Sequence, residues 1–409
     1  MKIGVHFGFG VPEGGGQFTL QQSIGKAVLK LAKESRHTFV IFGGPNVFKE
    51  SQGNIKYSSF PRSIIIHMYS RFYKTIAHIA NSNRIAAKVK SIFANYLESK
   101  TILKSGVDII WYVGPFCYTM EIPYIYILLD LQHLLQPYFP EVSGKGVWKA
   151  RQKHYEEVLR RATRIIISTE VGKDEVERFY QIPSERIVVS PYASPEMDMP
   201  ISNEDTEQIL LKYQIPPNYL FYPAQFWPQK NHVGLLRAVR LLRDKWNIES
   251  PVVFVGSDKG NLAYVKKVVH DLDLKQQVYF LGFVPRNDLN ALYKNAFALT
   301  MPTLVGPDNI PSLEAFSFGC PVISSNIAGF EEQLGDAALL VDPANVEQIA
   351  LAIKSLHDDE QMRNSLIKRG LQLVSKWSWD DYVKQVLASV DEFEHIRQTW
   401  PTNSQNSIN

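Results

Sequence analysis

The chain has 409 residues, 45% of them hydrophobic and 21% charged, with a formal net charge of +3. Those figures fit a globular chain of about two domains. They exclude a disordered or fibrous polypeptide and give no footing for nucleic-acid binding. Two cysteines, Cys117 and Cys320, form no disulfide framework and no thiolate metal motif, so a reducing compartment is expected.

The opening stretch "MKIGVHFGFG" reads as a strand entering a glycine loop, not as a signal peptide. No apolar run approaches the ~20 residues that a membrane helix needs. No Asn-x-Ser/Thr site occurs, which agrees with a cytoplasmic location. The polar end "TNSQNSIN" is expected to fray.

In chain order, short apolar runs predict strands at Ile3–Phe7, Thr38–Phe42, Asp108–Tyr112, Tyr124–Leu129 and Arg164–Ser168. Helical periodicity lies between several of them, as at Gln21–Lys33 and Lys149–Arg161. The segment "SPYASPEMDMPISNEDTEQ" reads as a linker. Beyond it, strands are predicted at Tyr219–Tyr222, Val252–Val255, Val278–Leu281, Ala298–Met301 and Val322–Ser324. Helices alternate with these at His232–Asp244, Leu262–Asp271, Arg286–Asn295, Pro311–Phe318 and Val346–His357. Such alternation predicts two α/β domains with doubly wound parallel sheets. Ligands bind such sheets at the carboxyl ends of the strands, so two facing domains would share a cleft.

Four segments carry candidate chemistry. The loop "GFGVPEGGGQF" is not a dinucleotide fingerprint, because Glu13 stands where the third glycine belongs. Its Gly14, Gly15 and Gly16 would let backbone approach a ligand closely. In "FYPAQFWPQKNHVGLLRAV", Lys230 is held between a strand and a helix start, an anion-binding position. In "VGPDNIPSLEAFSFGCPVIS", Asn309 is a plausible N-cap and Pro311 suits the first helical turn. The amides and positive dipole of that helix end would attract a diphosphate. Glu314 follows about one turn later, roughly 5 Å along the axis, and would suit sugar hydroxyls better than phosphate. A plain dipole-complementing acid is the competing reading. Finally, Pro61–Lys104 holds eight Lys/Arg against one acid, Glu98, interleaved with large apolar residues. That pattern fits contact with an anionic membrane, or a solvated helix face over a sheet.

These motifs resemble the donor half of retaining glycosyltransferases of family 4 (glycosyl transferases group 1). The resemblance rests on Lys230 in "FWPQKNH", on "FLGFVPRNDLNALYKNA" and on the block around Glu314, and more weakly on the N-terminal half. It implies the GT-B architecture: an acceptor-binding Rossmann-like domain over 1–195, a nucleotide-sugar domain over 206–375, and a last helix, 376–396, crossing back. It further implies that Lys230 contacts the donor diphosphate and Glu314 holds the ribose. The amides of Asn309 and Ile310 would touch diphosphate and sugar, and the backbone at Val284 would lie under the base. Gly15 and Gly16 would face the donor phosphate. In "ILLDLQHLLQPYFPEV", Asp130, Gln132 and His133 match an acceptor-side loop, which puts Asp130 and His133 with Lys230 at the reaction site.

Two positions depart from the pattern. Gly306 stands where the first of two paired glutamates usually touches the transferred sugar, and Gln225 stands where an arginine usually meets the diphosphate. The implied co-substrate is a UDP- or GDP-sugar, with no cofactor and no metal. The implied acceptor is a sugar or lipid-linked saccharide, at a cytoplasmic site peripheral to the inner membrane face. Alternatives are a nucleotide-sugar epimerase of the same architecture, and a binding subunit without turnover, which Gly306 and Gln225 motivate.

Overall fold

The computed structural model describes residues 1–8, 15–43, 53–58, 83–195, 202–306 and 309–401. Two separate parallel sheets form. The first has seven strands: β1 (Lys2–Phe7), β2 (Thr38–Gly43), β3 (Ile55–Ser58), β4 (Ile109–Val113), β5 (Tyr124–Ile127), β6 (Arg164–Ile167) and β7 (Ile187–Val189). Their order is β3-β2-β1-β4-β5-β6-β7. The second has six: β8 (Leu220–Pro223), β9 (Val252–Val255), β10 (Val278–Gly282), β11 (Ala298–Met301), β12 (Val322–Ser325) and β13 (Ala338–Val341), in the order β10-β9-β8-β11-β12-β13.

Every strand pair is parallel. The sequences explain this. "IIWYV" of β4, "YIYI" of β5 and "VVFV" of β9 are apolar throughout and buried at every position. A strand without alternation must be covered on both faces, and crossover helices supply the cover. The predicted α/β class with two doubly wound sheets is what forms. The three strands without a sequence counterpart, β3, β7 and β13, all lie at sheet edges.

The last helix, Trp379–Arg397, returns to the first sheet. Trp379, Tyr382, Val383, Val386, Val390 and Phe393 make a stripe at spacings of three and four, buried with Ile3, Leu20 and Ile24. Ser378 and Asp381 form a capping box at its start. Arg397 reaches Asp108 at 3.0 Å, and Arg36 reaches Asp391 at 2.6 Å.

Each sheet reverses its strand order at one place, between β1 and β4 and between β8 and β11. A doubly wound sheet opens its crevice there. Gly15 and Gly16 lie beyond the end of β1, Lys230 beyond the end of β8, and Asn309 beyond the end of β11. The topology therefore brings the three motifs to the two crevices that face each other. Of the basic segment 61–104, residues 61–82 lie outside the described part, as do Gly10, Glu13 and Gly14 of the glycine loop and residues 196–201 of the linker. Among the described residues, no helix is long and apolar enough to cross a membrane.

Candidate functional site

A cleft of about 610 Å³ separates the two sheets' domains. Eleven of the residues singled out from sequence line it. Gly15, Gly16, Asp130 and Gln132 come from the first domain, and Gln225, Lys230, Val284, Gly306, Asn309, Ile310 and Pro311 from the second. His133 and Glu314 do not line it.

On the second domain, Lys230 ends a short 3-10 turn, Pro228–Lys230. Asn231 follows in the left-handed region at φ 52° and caps the helix His232–Trp246, its Oδ1 accepting from the Gly234 N–H at 3.1 Å. Gly234 is required there, because a Cβ would come within 2.5 Å of the Asn231 amide. Asn231 Nδ2 also donates to the carbonyls of Pro302 at 3.0 Å and Pro343 at 2.8 Å. One side chain thus pins the loop after β8 to the loop after β11. Lys230 Nζ then donates to Asn309 Oδ1 at 3.4 Å.

Asn309 occupies the N-cap position of the helix Ile310–Ser317 without capping it through its side chain. The reason is competition: its Oδ1 serves Lys230, and its N–H donates to Gln333 Oε1 at 2.9 Å. The first turn of that helix is left to present its amides. Ile310 and Pro311 line the cleft beside them, with Pro at the position that needs no N–H. Gly306 enters this loop at φ +117°, a conformation that a glutamate would hold only under strain. Gln225 is turned to Trp227, whose Nε1 donates to its Oε1 at 3.0 Å.

Glu314 is 4% exposed and lies behind the wall of the cleft. Arg286 Nη1 donates to its Oε1 at 2.5 Å, and the Tyr293 hydroxyl donates to its Oε2 at 2.7 Å. Arg286 itself lines the cleft, close in sequence to Val284.

On the first domain, Gly15 has φ +72° and starts the helix Gly16–Leu31, whose N-terminal residues line the cleft. A Cβ on Gly15 would lie 3.5 Å from Gln225 Nε2, so the two domains' loops meet here. Asp130 Oδ1 accepts from the Gln132 N–H at 2.9 Å, an Asx turn that starts the short helix Gln132–Leu135. Arg151 Nη2 donates to the same Asp130 oxygen at 2.6 Å. His133 is turned inward, fully buried. Its Nε2 lies 3.1 Å from Gln152 Oε1, and its ring meets Tyr155 edge-on. Burial and then the Arg151 charge hold its pKa below the ordinary value, so it stays neutral near pH 7.

Contacts across the cleft hold the domains together at its rim. Glu141 Oε1 accepts from the Gln229 N–H at 3.0 Å, and Gln136 Nε2 donates to the Leu304 carbonyl at 3.1 Å. Glu332 accepts from the N–H groups of Glu170 and Val171, at 2.7 and 3.4 Å. Among the described residues, no group of three or more His, Cys, Asp or Glu side chains is placed to hold a metal ion.

Arg151 and Arg286 went unnoticed in the sequence. Arg151 is one of several basic residues on an amphipathic helix, and nothing local marks it. Arg286 had a signal: it opens a helix two residues after Val284, beside the expected wall of the base.

Comparison with known proteins agrees with this geometry. Residues 205–373 match the family of glycosyl transferases group 1. The O-antigen chain mannosyltransferase B of Escherichia coli is 29% identical over 249 residues, which are 61% of this chain and 65% of that one. The chain thus spans just under two thirds of that relative's length. Among solved structures, WaaG, a glycosyltransferase involved in lipopolysaccharide biosynthesis, aligns with a TM-score of 0.66 at 15% identity, over 95% of this chain and 98% of that one. HepE of Anabaena, solved in complex with UDP-glucose, aligns with a TM-score of 0.65 at 15% identity, over 97% and 100%. The fold is GT-B, two facing Rossmann-like domains, and its second domain carries the glycosyl transferases group 1 match.

Proposed function

We propose that this chain is a retaining glycosyltransferase that moves a sugar from a nucleotide-sugar to an acceptor hydroxyl in polysaccharide or glycoconjugate biosynthesis. The observation that carries the reading is the convergence of Lys230, Asn309 and the start of the helix Ile310–Ser317 on one cleft, opposite Gly15, Gly16 and Asp130. Cationic and amide donors on one wall suit a diphosphate, and preorganised donors gain strength as charge develops on a leaving group. The departing phosphate takes the acceptor proton on the same face of the sugar. Asp130, fixed by Arg151, faces the acceptor. His133 braces that loop from behind. Val284 backs the base, and Glu314 holds the ribose once the ribose shares its carboxylate with Arg286 or displaces that side chain. The kinship with an O-antigen mannosyltransferase supports a polysaccharide setting, and a structural neighbour that binds UDP-glucose supports a nucleotide-sugar donor. The acceptor is a sugar or a lipid-linked saccharide, reached from the cytoplasm at a membrane face.

A transfer assay with UDP- and GDP-sugars and saccharide acceptors tests this, with proton NMR reading the anomer formed and a chelator arm reading metal dependence. The expected result is a product that keeps the donor's anomeric configuration and turnover that survives chelation. Inversion would remove the mechanism. Nucleotide binding without transfer to any acceptor would leave a binding subunit.

A further inference from the structure

We propose that Gln152 is a positioning residue for transfer: from the helix Val147–Arg161 it fixes the His133 imidazole with its hydrogen on Nε2, and so holds the loop that brings Asp130 to the cleft. This rests on the reading of the cleft as a transferase site.

The loop cannot hold itself. Asp130 lines the cleft, and the helix that follows it, Gln132–Leu135, has four residues and no side-chain cap at Leu131. So short a helix leaves most of its backbone groups without intrahelical partners, and its orientation must come from what it packs against. The helix Val147–Arg161 supplies the support at two consecutive positions. Arg151 Nη2 donates to Asp130 Oδ1 at 2.6 Å, and Gln152 Oε1 lies 3.1 Å from His133 Nε2. The same helix surrounds the imidazole with rings: Tyr155 meets it edge-on at 5.5 Å between centroids, and Trp148 stands 6.2 Å away.

The place of the imidazole hydrogen follows from the partners. Gln152 Nε2 donates to Glu156 Oε1 at 2.9 Å, and the Tyr180 hydroxyl donates to Gln152 Oε1 at 3.0 Å. A carboxylate only accepts, so Glu156 draws the amide NH2 to itself and leaves the amide oxygen for His133. That oxygen also only accepts, so His133 Nε2 carries the hydrogen. Tyr180 does not replace Gln152 here: its oxygen is 3.5 Å from Nε2, and its own hydrogen points to Gln152. At the other nitrogen, His133 Nδ1 is buried without a hydrogen-bond partner. An N–H there would be a buried donor left unpaired, so both nitrogens favour the same tautomer. The charge of the ring has other causes. Burial and the Arg151 guanidinium favour the neutral form, against the Gln152 hydrogen bond and the Asp130 carboxylate, which favour the cation.

The test uses the full chain with 15N-labelled histidine. Two-bond proton–nitrogen spectra read the tautomer and titration of each ring, and His133→Phe identifies the His133 signal. The wild type is expected to show a neutral Nε2–H imidazole at pH 7.5. Gln152→Leu should lose that tautomer preference. It should also lower kcat/KM for transfer from UDP-glucose or GDP-mannose to octyl glycosides about ten- to a hundredfold, as for a small displacement of a group at the reaction site. Its affinity for UDP and GDP should hold within about twofold in calorimetry. Gln152→Glu keeps an acceptor and adds charge, so it should retain the Nε2–H tautomer and raise the His133 pKa. Tyr180→Phe leaves Gln152 in place and should keep the tautomer, with kcat/KM within about twofold of wild type. A wild-type His133 that is charged or protonated on Nδ1, or a wild-type kcat/KM in Gln152→Leu, would overturn the inference and leave the transferase reading standing. A wild type that binds UDP or GDP and transfers sugar to no acceptor would overturn the transferase reading, and the role of Gln152 with it.

Discussion

Arg286 and Glu314 are joined at 2.5 Å across the wall of the cleft, and the buried Tyr293 hydroxyl holds the other Glu314 oxygen at 2.7 Å. The carboxylate that the family resemblance assigns to a ribose is thus already committed to two donors. A ribose must share it or displace Arg286, the more exposed of the two partners.

Glu314→Ala is therefore expected to have two effects. Nucleotide affinity should fall about ten- to a hundredfold, from the loss of a charged hydrogen bond worth roughly 1.5–3 kcal/mol. Stability should fall as well, by about 1–3 kcal/mol, because the Tyr293 hydroxyl is left buried and unpaired. Calorimetry with UDP and GDP reads the first effect and urea unfolding the second. Lost stability with unchanged affinity would make Glu314 a structural partner of Arg286 and Tyr293 only.

Lys230 has a different balance. It sits at the cleft on a turn fixed by Asn231, so its removal should disturb turnover more than folding. Lys230→Ala is expected to lower kcat roughly a hundredfold, as for the loss of one preorganised donor to a developing charge. The melting temperature should change by only a few degrees. Normal kcat and normal donor KM in the variant would remove Lys230 from the reaction.

The contrast between these residues shows what the sequence could carry. Lys230 and Asn309 were legible because strand, loop and helix signals run consecutively, whereas Gly306 and Ile310 were marked only by the family resemblance; the switch in strand order brings all four to the cleft. The partners of Glu314 were not legible, since Arg286 and Tyr293 stand 28 and 21 residues away and meet it only through packing. The loop "DLQH" shows a finer limit. The pattern marks the loop but not which side chain faces inward. A four-residue helix turns His133 into the aromatic pocket of Tyr155 and leaves Gln132 on the cleft. The edge strands β3, β7 and β13 escaped for a related reason: covered less completely than the central strands, they bury only one or two positions each, so the buried apolar run that marks a central strand is not required of them.

His232 makes stability depend on pH. It is fully buried, stacked between Tyr222 and Phe226 at 4.8 and 4.5 Å. Burial, reinforced by the Lys230 charge, lowers its pKa to about 3. Unfolded, it titrates near 6.5. Between those values the unfolded chain binds a proton that the native chain refuses, so this contribution is full above pH 6.5 and is lost as pH falls toward 3. From pH 6.5 to 5 the loss is about 2 kcal/mol. Urea unfolding at pH 7.5 and pH 5.0 checks this. His232→Phe keeps the stacking and should lose less stability between the two pH values than the wild type. An equal loss in both would place the acid sensitivity elsewhere.

The helix Asn83–Lys104 bears on where the protein works. It presents Ile92, Phe93 and Tyr96 to solvent, at 61%, 40% and 56% exposure, and Lys100 lies over the Tyr96 ring. Positions 92, 93 and 96 fall on one face of the helix. Large apolar side chains beside lysines are the chemistry of a surface that rests on anionic headgroups, with rings at the boundary and ammonium groups among phosphates. Such binding has two components that salt separates, because screening weakens the charge term and leaves apolar burial. The protein is expected to co-sediment with vesicles containing anionic phospholipid at low salt, several-fold less at about 0.5 M salt, and weakly with neutral vesicles. Ile92→Ser combined with Phe93→Ser should lower binding at both salt concentrations and leave turnover on a water-soluble acceptor unchanged. If the wild type stays in the supernatant with anionic vesicles at low salt, the helix face is an ordinary solvated surface, and a lipid-linked acceptor loses its physical support.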